Sequence, residues 1–228
     1  MRSMRRLWRK ICGTDMNITN DKVTEYINKF YTPVSPEMME LREKAEQSRV
    51  PVILRETESV LAFLMKTTAP ESVLEIGTAV GYSAMFFASF GAEVVTVEKD
   101  SDKAQNARAN IRAMGFEERI TVITGDGEEA VRGIREKKFD LVFIDAAKSH
   151  YTRFFEAALP LCADGALIIS DNVLLKGTTA SDEFDTTGRF KTNIKRMREY
   201  LDHISDHPSL DTVILSCGDG LALSRYKP

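Results

Sequence analysis

The stretch Val73-Leu-Glu-Ile-Gly-Thr-Ala-Val-Gly-Tyr-Ser83 decides the fold, because an apolar run passes into a glycine-containing turn and then into residues of helical character. Glycines at a strand-to-helix turn allow a sharp bend of the backbone and the close approach of a ligand. The next apolar run ends in Glu98, roughly twenty residues further on, where a carboxylate can accept hydrogen bonds from ribose hydroxyls. Together these features predict a site for a nucleoside-bearing cofactor.

Further apolar runs follow this stretch and alternate with helix-length segments. Such alternation predicts parallel strands joined by right-handed crossovers, and the unbroken apolar character predicts strands buried on both faces. The last two runs are separated only by about 216–220, which is too short for a crossover, so we expect an antiparallel hairpin there. The predicted strands are Ser72–Ile76, Glu93–Val97, Ile120–Thr124, Phe139–Ile144, Ala166–Ser170, Thr212–Leu215 and Leu221–Ser224.

Helical spacing precedes the first strand, at about 21–31, 36–48 and 55–66. We therefore divide the chain into a basic tail over 1–16 and one domain over 17–228, with an N-terminal helical cap over 17–68. The first fifteen residues hold five basic side chains and one acidic side chain, although the whole chain has a net charge of −3. We interpret this segment as a frayed tail, or as an upstream start before Met16, rather than as an RNA-contacting arm.

The composition excludes several classes of protein. With 228 residues and 43% hydrophobic side chains the chain can bury a full core, and its three cysteines are widely spaced, so it is neither a disulfide scaffold nor disordered. The longest apolar stretches fall far short of the ~18 residues that a membrane span requires, and no signal peptide is evident. We expect a cytoplasmic protein without membrane attachment.

The type of cofactor follows from one acidic residue. Glu75 puts a carboxylate near the place where a dinucleotide would have its pyrophosphate, and it would attract the ammonium group of a methionine moiety instead. This favours S-adenosylmethionine over a nicotinamide dinucleotide. Asp126 and Gly127, at the end of the third predicted strand, could hold the adenine edge, although Gly-Asp-Gly is also ordinary turn chemistry. The alternative for the first glycine turn is helix packing alone.

Oxygen-bearing side chains end two further predicted strands. Asp145 ends the fourth strand, and Asp171 and Asn172 end the fifth. The ends of neighbouring strands lie about 5 Å apart, so these three side chains can converge on one ion. Hard oxygen ligands favour Mg²⁺, with Mn²⁺ and Ca²⁺ as alternatives, whereas zinc is disfavoured because no cysteine or histidine accompanies them. The competing interpretation is that all three residues are turn or helix caps.

Lys148 lies three residues after Asp145 and is the candidate catalytic base. A partly desolvated lysine beside a divalent cation can take up a proton near neutral pH. The alternative is a surface lysine or a counter-ion to Asp145. His203 and His207 have i, i+4 spacing, but Pro208 breaks the helix there and no carboxylate motif accompanies them, so we reject a zinc site.

From about Thr19 onward the chain resembles the metal-dependent O-methyltransferases of the catechol and caffeoyl-CoA type, in the motifs V-L-E-I-G-T-A-V-G-Y-S, F-I-D-A-A-K-S-H-Y and S-D-N-V-L-L-K-G. The resemblance implies a Rossmann-like class I methyltransferase fold of the α/β class, with helices on both faces of a seven-stranded, mostly parallel sheet that has one antiparallel strand. It also implies the strand order 3-2-1-4-5-7-6 and a homodimer. The implied site residues are Glu75, Gly77, Ser83, Glu98 and Asp145 for S-adenosylmethionine, Asp145, Asp171 and Asn172 for the metal, and Lys148 with Asp145 for catalysis.

A narrower resemblance concerns the acceptor. Three stretches resemble the bacterial tRNA 5-hydroxyuridine methyltransferases: V-P-V-I at 50–53, N-V-L-L-K-G at 172–177 and H-P-S-L-D-T-V-I-L-S-C-G-D-G-L-A-L-S at 207–224. From the first of them we add Val52 to the expected cofactor contacts. Plant caffeoyl-CoA enzymes carry a tryptophan where this chain has Leu175, and they have a long acyl-CoA-binding insertion that it lacks. We therefore expect a tRNA anticodon loop as acceptor, with a small catechol-like phenol as the alternative and a non-catalytic RNA-binding module as the alternative from another class.

Two further segments bear on the acceptor. The polar segment from Lys176 to Gly188 follows the fifth strand and is predicted to be a loose substrate lid. The segment from Arg189 to Ile204 is predicted to be a helix with an apolar face and a basic stripe. Basic side chains at this position could hold phosphates, whereas the alternative is an ordinary solvated helix face. The stripe consists of Lys191, Lys195 and Arg198, with Arg189 and Arg196 nearby.

Overall fold

The computed structural model describes residues 21–135, 137–185, 188 and 190–228. The predicted basic tail over 1–16 and the first four residues of the predicted cap lie outside these ranges. Among the described helices, none combines the length and the apolar composition that crossing a bilayer requires.

The sheet has seven strands in the order β3-β2-β1-β4-β5-β7-β6, which confirms the predicted topology. Strands β1 to β5 are parallel, and β7 runs antiparallel to both of its neighbours, β5 and β6. The last two strands form the expected hairpin because only a short turn separates them. The strands are β1 (Ser72–Ile76), β2 (Glu93–Glu98), β3 (Ile120–Thr124), β4 (Phe139–Ile144), β5 (Cys162–Asp171), β6 (Leu210–Leu215) and β7 (Leu221–Tyr226).

Helices cover both faces of the sheet. Side chains alternate along each strand, so Leu74 and Ile76 pack in one buried cluster and Val73 packs in the other. The helices after β3, β4 and β5 cover the first face, and the N-terminal helices, together with the helices after β1 and β2, cover the second. The helices are α1 (Asp21–Asn28), α2 (Pro36–Gln47), α3 (Arg55–Thr68), α4 (Tyr82–Ala88), α5 (Ser101–Ala113), α6 (Gly127–Gly133), α7 (Tyr151–Ala158) and α8 (Lys191–Ser205), with short 3-10 turns at Lys148–His150, Leu159–Leu161, Leu175–Gly177 and Asp182–Phe184.

The start of β5 differs from the prediction. The strand begins at Cys162 and not at Ala166, because Asp164 and Gly165 lie inside it although they have the composition of a turn. Gly165 has φ +79° and the pairing between β4 and β5 shifts register near this point, so a β-bulge accommodates the glycine within the strand.

The glycine turn after β1 fixes the distance between two neighbouring strand ends. Gly77 has φ +108°, and a Cβ atom built there would lie 2.0 Å from the carbonyl oxygen of Asp145. Only glycine allows this approach. The turn ends at Gly81, with φ +83°, and α4 begins at Tyr82.

Candidate active site

A cavity of about 1080 Å³ opens at the carboxyl ends of the parallel strands. Open α/β sheets bind ligands in this crevice, and the volume slightly exceeds the usual range of about 300–1,000 Å³ for a small-molecule site. The structure brings almost all the predicted site residues to this one wall, which is lined by Val52, Gly77, Ser83, Glu98, Asp126, Gly127, Asp145, Lys148, Asp171 and Asn172 among others.

Glu98 is fixed at the end of β2 by backbone donors. Its Oε2 accepts a hydrogen bond of 2.9 Å from the Ala79 amide, and its Oε1 accepts one of 3.0 Å from the Asp100 amide. A carboxylate has about four acceptor positions, so each oxygen keeps one for a ligand. This geometry places a fixed acceptor beside the glycine turn, where a ribose was expected.

Glu75 differs from the other predicted site residues, because it is not part of the cavity wall that the described residues form. Its side chain points to the face of the sheet that α4 covers and is fully buried. Oε2 accepts a 2.5 Å hydrogen bond from the Thr96 hydroxyl, whereas Oε1 has no partner among the described residues. Burial raises the pKa of Glu75 to about 8, although the hydroxyls of Ser83 and Thr96 act in the opposite direction.

Glu75 makes the stability of the protein dependent on pH. Its pKa in the fold is above the ordinary value of 4.5, so its favourable contribution is complete below pH 4.5 and is lost as the pH rises towards 8. We expect Glu75→Gln to remove this decline and to raise the free energy of unfolding at pH 8 by about 1–4 kcal/mol relative to wild type. Urea denaturation between pH 5 and pH 8.5 measures the difference, with the exposed Glu71→Gln as control. Parallel pH profiles of Glu75→Gln and wild type would contradict it.

Asp126 and Gly127 begin α6 at the cavity edge. Asp126 Oδ1 accepts a 3.1 Å hydrogen bond from the Glu128 amide, and its Oδ2 accepts one of 3.1 Å from Lys99 Nζ. The hydrogen bond from Lys99 is the largest cause that lowers the pKa of Asp126. A Cβ at Gly127 would lie 2.7 Å from the ring of Phe154. Both residues therefore have the cap and packing roles of ordinary turn chemistry, and they also line the cavity.

Lys148 lies at the centre of the oxygen-bearing side chains. Its Nζ donates hydrogen bonds of 2.8 Å to Asp145 Oδ1 and 2.7 Å to Asn172 Oδ1. The 3-10 turn after β4 holds the lysine in this position, and Asn172 reaches it from the end of β5 with φ +57°. Asp145 and Asn172 therefore lie close together, because both side chains contact the same ammonium group, and their role as ligands of one ion stays a prediction.

Asp171 is the most buried member of the group, with 1% of its surface exposed. Its Oδ1 accepts a 2.7 Å hydrogen bond from the Asn172 amide, and its Oδ2 is buried without a partner among the described residues. Burial, followed by the charge of Asp145, raises the pKa of Asp171 to about 7. An orphaned carboxylate oxygen beside a second carboxylate and an amide oxygen fits a hard divalent cation.

Histidine and cysteine do not contribute to this group. Across 21–135, 137–185, 188 and 190–228, no three His, Cys, Asp or Glu side chains are arranged to hold a metal. The predicted metal site therefore depends on the side-chain amide of Asn172 as its third ligand. His203 instead pairs with Glu156 at 2.6 Å, and its ring contacts His207.

Two residues at the site were missed by the sequence reasoning. Tyr151 is fully buried; its hydroxyl donates a 2.8 Å hydrogen bond to the Asp171 carbonyl and accepts one of 2.9 Å from Lys148. Asp219 lies in the turn between β6 and β7 and accepts a hydrogen bond from the Lys176 amide. The tyrosine follows Lys148 by three residues, which is a usable signal, whereas the contact of Asp219 depends on the antiparallel pairing of β5 and β7.

The predicted lid is more ordered than expected over the part that the structure describes. Arg198 from α8 donates hydrogen bonds of 2.8 Å to the Thr179 carbonyl and to Asp182 Oδ1. Arg198 therefore anchors the segment after β5 and is not a free phosphate ligand, which corrects its assignment to the basic stripe. Lys191, Lys195 and Arg196 remain exposed, whereas Arg189 and the lid residues Thr186 and Thr187 lie outside the described ranges.

The family follows from sequence comparison. A family model described as O-methyltransferase matches residues 31–227. The chain belongs to the O-methyltransferase family. A catechol O-methyltransferase of Mycobacterium tuberculosis is 32% identical over 80% of this chain and 84% of its own length. A caffeoyl-CoA O-methyltransferase of Stellaria longipes is 26% identical over 73% of this chain and 72% of its own length.

Solved structures place this O-methyltransferase among the same enzymes. An S-adenosylhomocysteine-bound methyltransferase of Podospora anserina superposes with a TM-score of 0.83 at 25% identity, over 91% of this chain and 95% of that chain. An O-methyltransferase of Bacillus cereus in complex with S-adenosylhomocysteine gives 0.78 at 26% identity, over 90% and 97%. The predicted fold class and the predicted enzyme class are confirmed.

Proposed function

We propose that this O-methyltransferase uses S-adenosylmethionine and a divalent cation to methylate 5-hydroxyuridine at the wobble position of tRNA. The observation that carries the proposal is the convergence of Lys148, Asp145 and Asn172 in a cavity that also contains the glycine turn. The cytoplasm would be the place of action, since tRNA and the methyl donor are both found there.

The methyl donor is assigned to the glycine-turn half of the cavity. The relatives that bind S-adenosylhomocysteine share the whole fold with this chain. Glu98 offers acceptors to the ribose, and Gly77 and Ser83 line the same cavity. Because Glu75 is buried behind this wall, we assign the ammonium of the methionine moiety to Asp145, which lies on the wall itself.

Asp145, Asp171 and Asn172 would hold the cation, with Mg²⁺ as the first choice. Bound there, it would lower the pKa of an acceptor hydroxyl that it chelates together with a neighbouring oxygen. Lys148 Nζ lies within 2.8 Å of two of these residues, which supports our assignment of Lys148 as the group that would take the hydroxyl proton. Tyr151 orients this lysine through its 2.9 Å contact. Holding the acceptor oxygen in line with the donor methyl is the remaining task of the cavity wall.

The choice of tRNA is supported by the motifs at 50–53 and 172–177 and by the exposed basic side chains of α8. In 5-hydroxyuridine, O5 and O4 are adjacent oxygens that can chelate one ion, and an unpaired anticodon base can be flipped into such a cavity. A small catechol-like phenol offers the same pair of oxygens. It is the second candidate because two curated relatives at 32% and 30% identity are named catechol O-methyltransferases.

The test compares the two acceptors with the same enzyme preparation. Purified protein is incubated with labelled S-adenosylmethionine and either tRNA that contains 5-hydroxyuridine or a catechol, each with Mg²⁺ or with a chelator. We expect 5-methoxyuridine in the tRNA digest only when the metal is present, and at least 100-fold less with Asp171→Asn. Product from catechol alone would exclude tRNA, and equal activity with the chelator would exclude the metal.

We further propose that the chain forms a homodimer through the apolar surface of the helical cap. Tyr26 and Phe30 near the end of α1 are 60% and 71% exposed, and Phe63 on α3 is 68% exposed. Large apolar side chains exposed together mark interaction surfaces. Light scattering of the purified protein tests this proposal, which a monomeric mass at micromolar concentration would contradict.

A further inference from the structure

A buried polar network connects the helical cap with the helix that follows the glycine turn. Arg42 of α2, Glu58 of α3 and Tyr82 of α4 are each no more than 2% exposed. Arg42 forms an ion pair with Glu58 Oε2, and its Nε donates a 3.2 Å hydrogen bond to the Tyr82 hydroxyl. Three helices that are distant in sequence therefore meet at one carboxylate.

Two tyrosines donate to this carboxylate from opposite sides. The Tyr82 hydroxyl donates a 2.8 Å hydrogen bond to Glu58 Oε2, and the Tyr31 hydroxyl donates one of 2.7 Å to Oε1. Burial, together with Glu58, raises the pKa of both phenols, so both remain donors at physiological pH. The guanidinium of Arg42 also lies 4.7 Å from the centre of the Tyr82 ring. Each polar group of the buried pair is thereby compensated, as a buried ion pair requires.

Tyr82 differs from Tyr31 in its place in the chain. It lies between Gly81, which has φ +83°, and Ser83. Tyr82 and Ser83 line the cavity, and Gly81 precedes them in the chain. The first turn of α4 has no side-chain cap, because glycine precedes it. A helix end without a cap needs another contact to fix its position, and the Tyr82 hydroxyl supplies one. Tyr31 lies in the segment between α1 and α2 and is absent from the cavity lining.

We propose that the Glu58–Tyr82 hydrogen bond positions the first turn of α4 for the methyl donor, so that the helical cap sets the affinity for S-adenosylmethionine. Tyr82 and Glu58 are positioning residues, because they act through Gly81 and Ser83. This inference rests on the proposed donor site in the glycine-turn half of the cavity.

The test compares Tyr82→Phe with Tyr31→Phe. Each substitution removes one hydroxyl that donates to the Glu58 carboxylate and keeps the ring. Tyr82→Phe in addition removes the oxygen that accepts from Arg42 Nε. Titration calorimetry with S-adenosylhomocysteine gives the Kd, and steady-state kinetics separate the KM for S-adenosylmethionine from kcat. We expect about a tenfold higher Kd and KM for Tyr82→Phe, with kcat nearly unchanged, and less than a twofold change for Tyr31→Phe.

The outcomes separate positioning from general stability. An unchanged Kd in Tyr82→Phe, or an equal rise in both variants, would overturn the inference, since a purely structural contact affects both alike. Failure of the wild-type protein to bind S-adenosylhomocysteine would refute the donor site itself and the inference with it.

Hydrogen exchange of the wild-type protein tests the same coupling without a substitution. If the cap and the donor site are linked, S-adenosylhomocysteine slows amide exchange in α2 and α3 as well as in α4. Protection confined to the glycine turn and α4 would contradict the inference, even if Tyr82→Phe could not be folded.

Discussion

Replacing Lys148 by methionine is expected to lower kcat for methyl transfer by about 10²–10⁴-fold, which is the usual contribution of a general base. Methionine has a similar length and flexibility but cannot take up a proton. Because Nζ lies within 2.8 Å of both Asp145 and Asn172 in the structure, the substitution also removes a positive charge from the proposed metal site. We therefore expect the affinity for a divalent cation to be retained or increased.

Single-turnover kinetics and Mn²⁺ titration measure these two effects separately. Lys138→Met is a suitable control, because this exposed lysine donates to the Pro160 carbonyl away from the cavity. Asp171→Asn should lose metal affinity and activity together, so the two variants distinguish the base from the ligand. A kcat of Lys148→Met within threefold of wild type would exclude the lysine as the base.

Replacing Glu58 by alanine is expected to lower the free energy of unfolding by about 3–5 kcal/mol, because it removes the buried partner of Arg42 and leaves the guanidinium only the half-exposed Glu46, at 3.4 Å. For a chain of this size the expected fall in Tm is about 6–20 °C. Two tyrosine hydroxyls also lose their acceptor.

Thermal and urea denaturation measure this effect, with the exposed Glu43→Ala on α2 as a control expected to stay within about 0.5 kcal/mol of wild type. The double variant Arg42→Met/Glu58→Met should recover most of the loss, since an apolar replacement of both partners is often tolerated. A double variant as unstable as the sum of its single variants would show that the loss comes from packing and not from the unpaired charge.

The sheet and most of the cavity wall could be predicted from the sequence, because the residues at a strand end directly follow the apolar run that forms the strand. Asp145, Asp171 and Asn172 each follow an apolar run, and the parallel order of β1, β4 and β5 then brings them to one edge. The glycine turn was recognisable for the same reason, since its positive φ angles require glycine at Gly77 and Gly81.

Other features depend on contacts between distant segments. The partners of Glu58 lie 27 and 16 residues before it and 24 residues after it, and no periodicity connects them. Arg198 was assigned to a basic stripe because helix periodicity shows which face a residue occupies, but not that a loop lies against that face. The position of Glu75 behind the cavity wall could have been predicted from the sequence, because the alternation of side chains along β1 places it on the same side as Val73.

The contact between Gly77 and the Asp145 carbonyl has an evolutionary consequence. A methyl group at position 77 would have to displace the strand end that carries a proposed metal ligand. The donor half and the metal half of the cavity therefore depend on the same close approach between two backbone segments. Acceptor preference can then diverge through the surrounding loops and the N-terminal helices. The glycine at position 77 is expected to stay invariant as relatives acquire new acceptors.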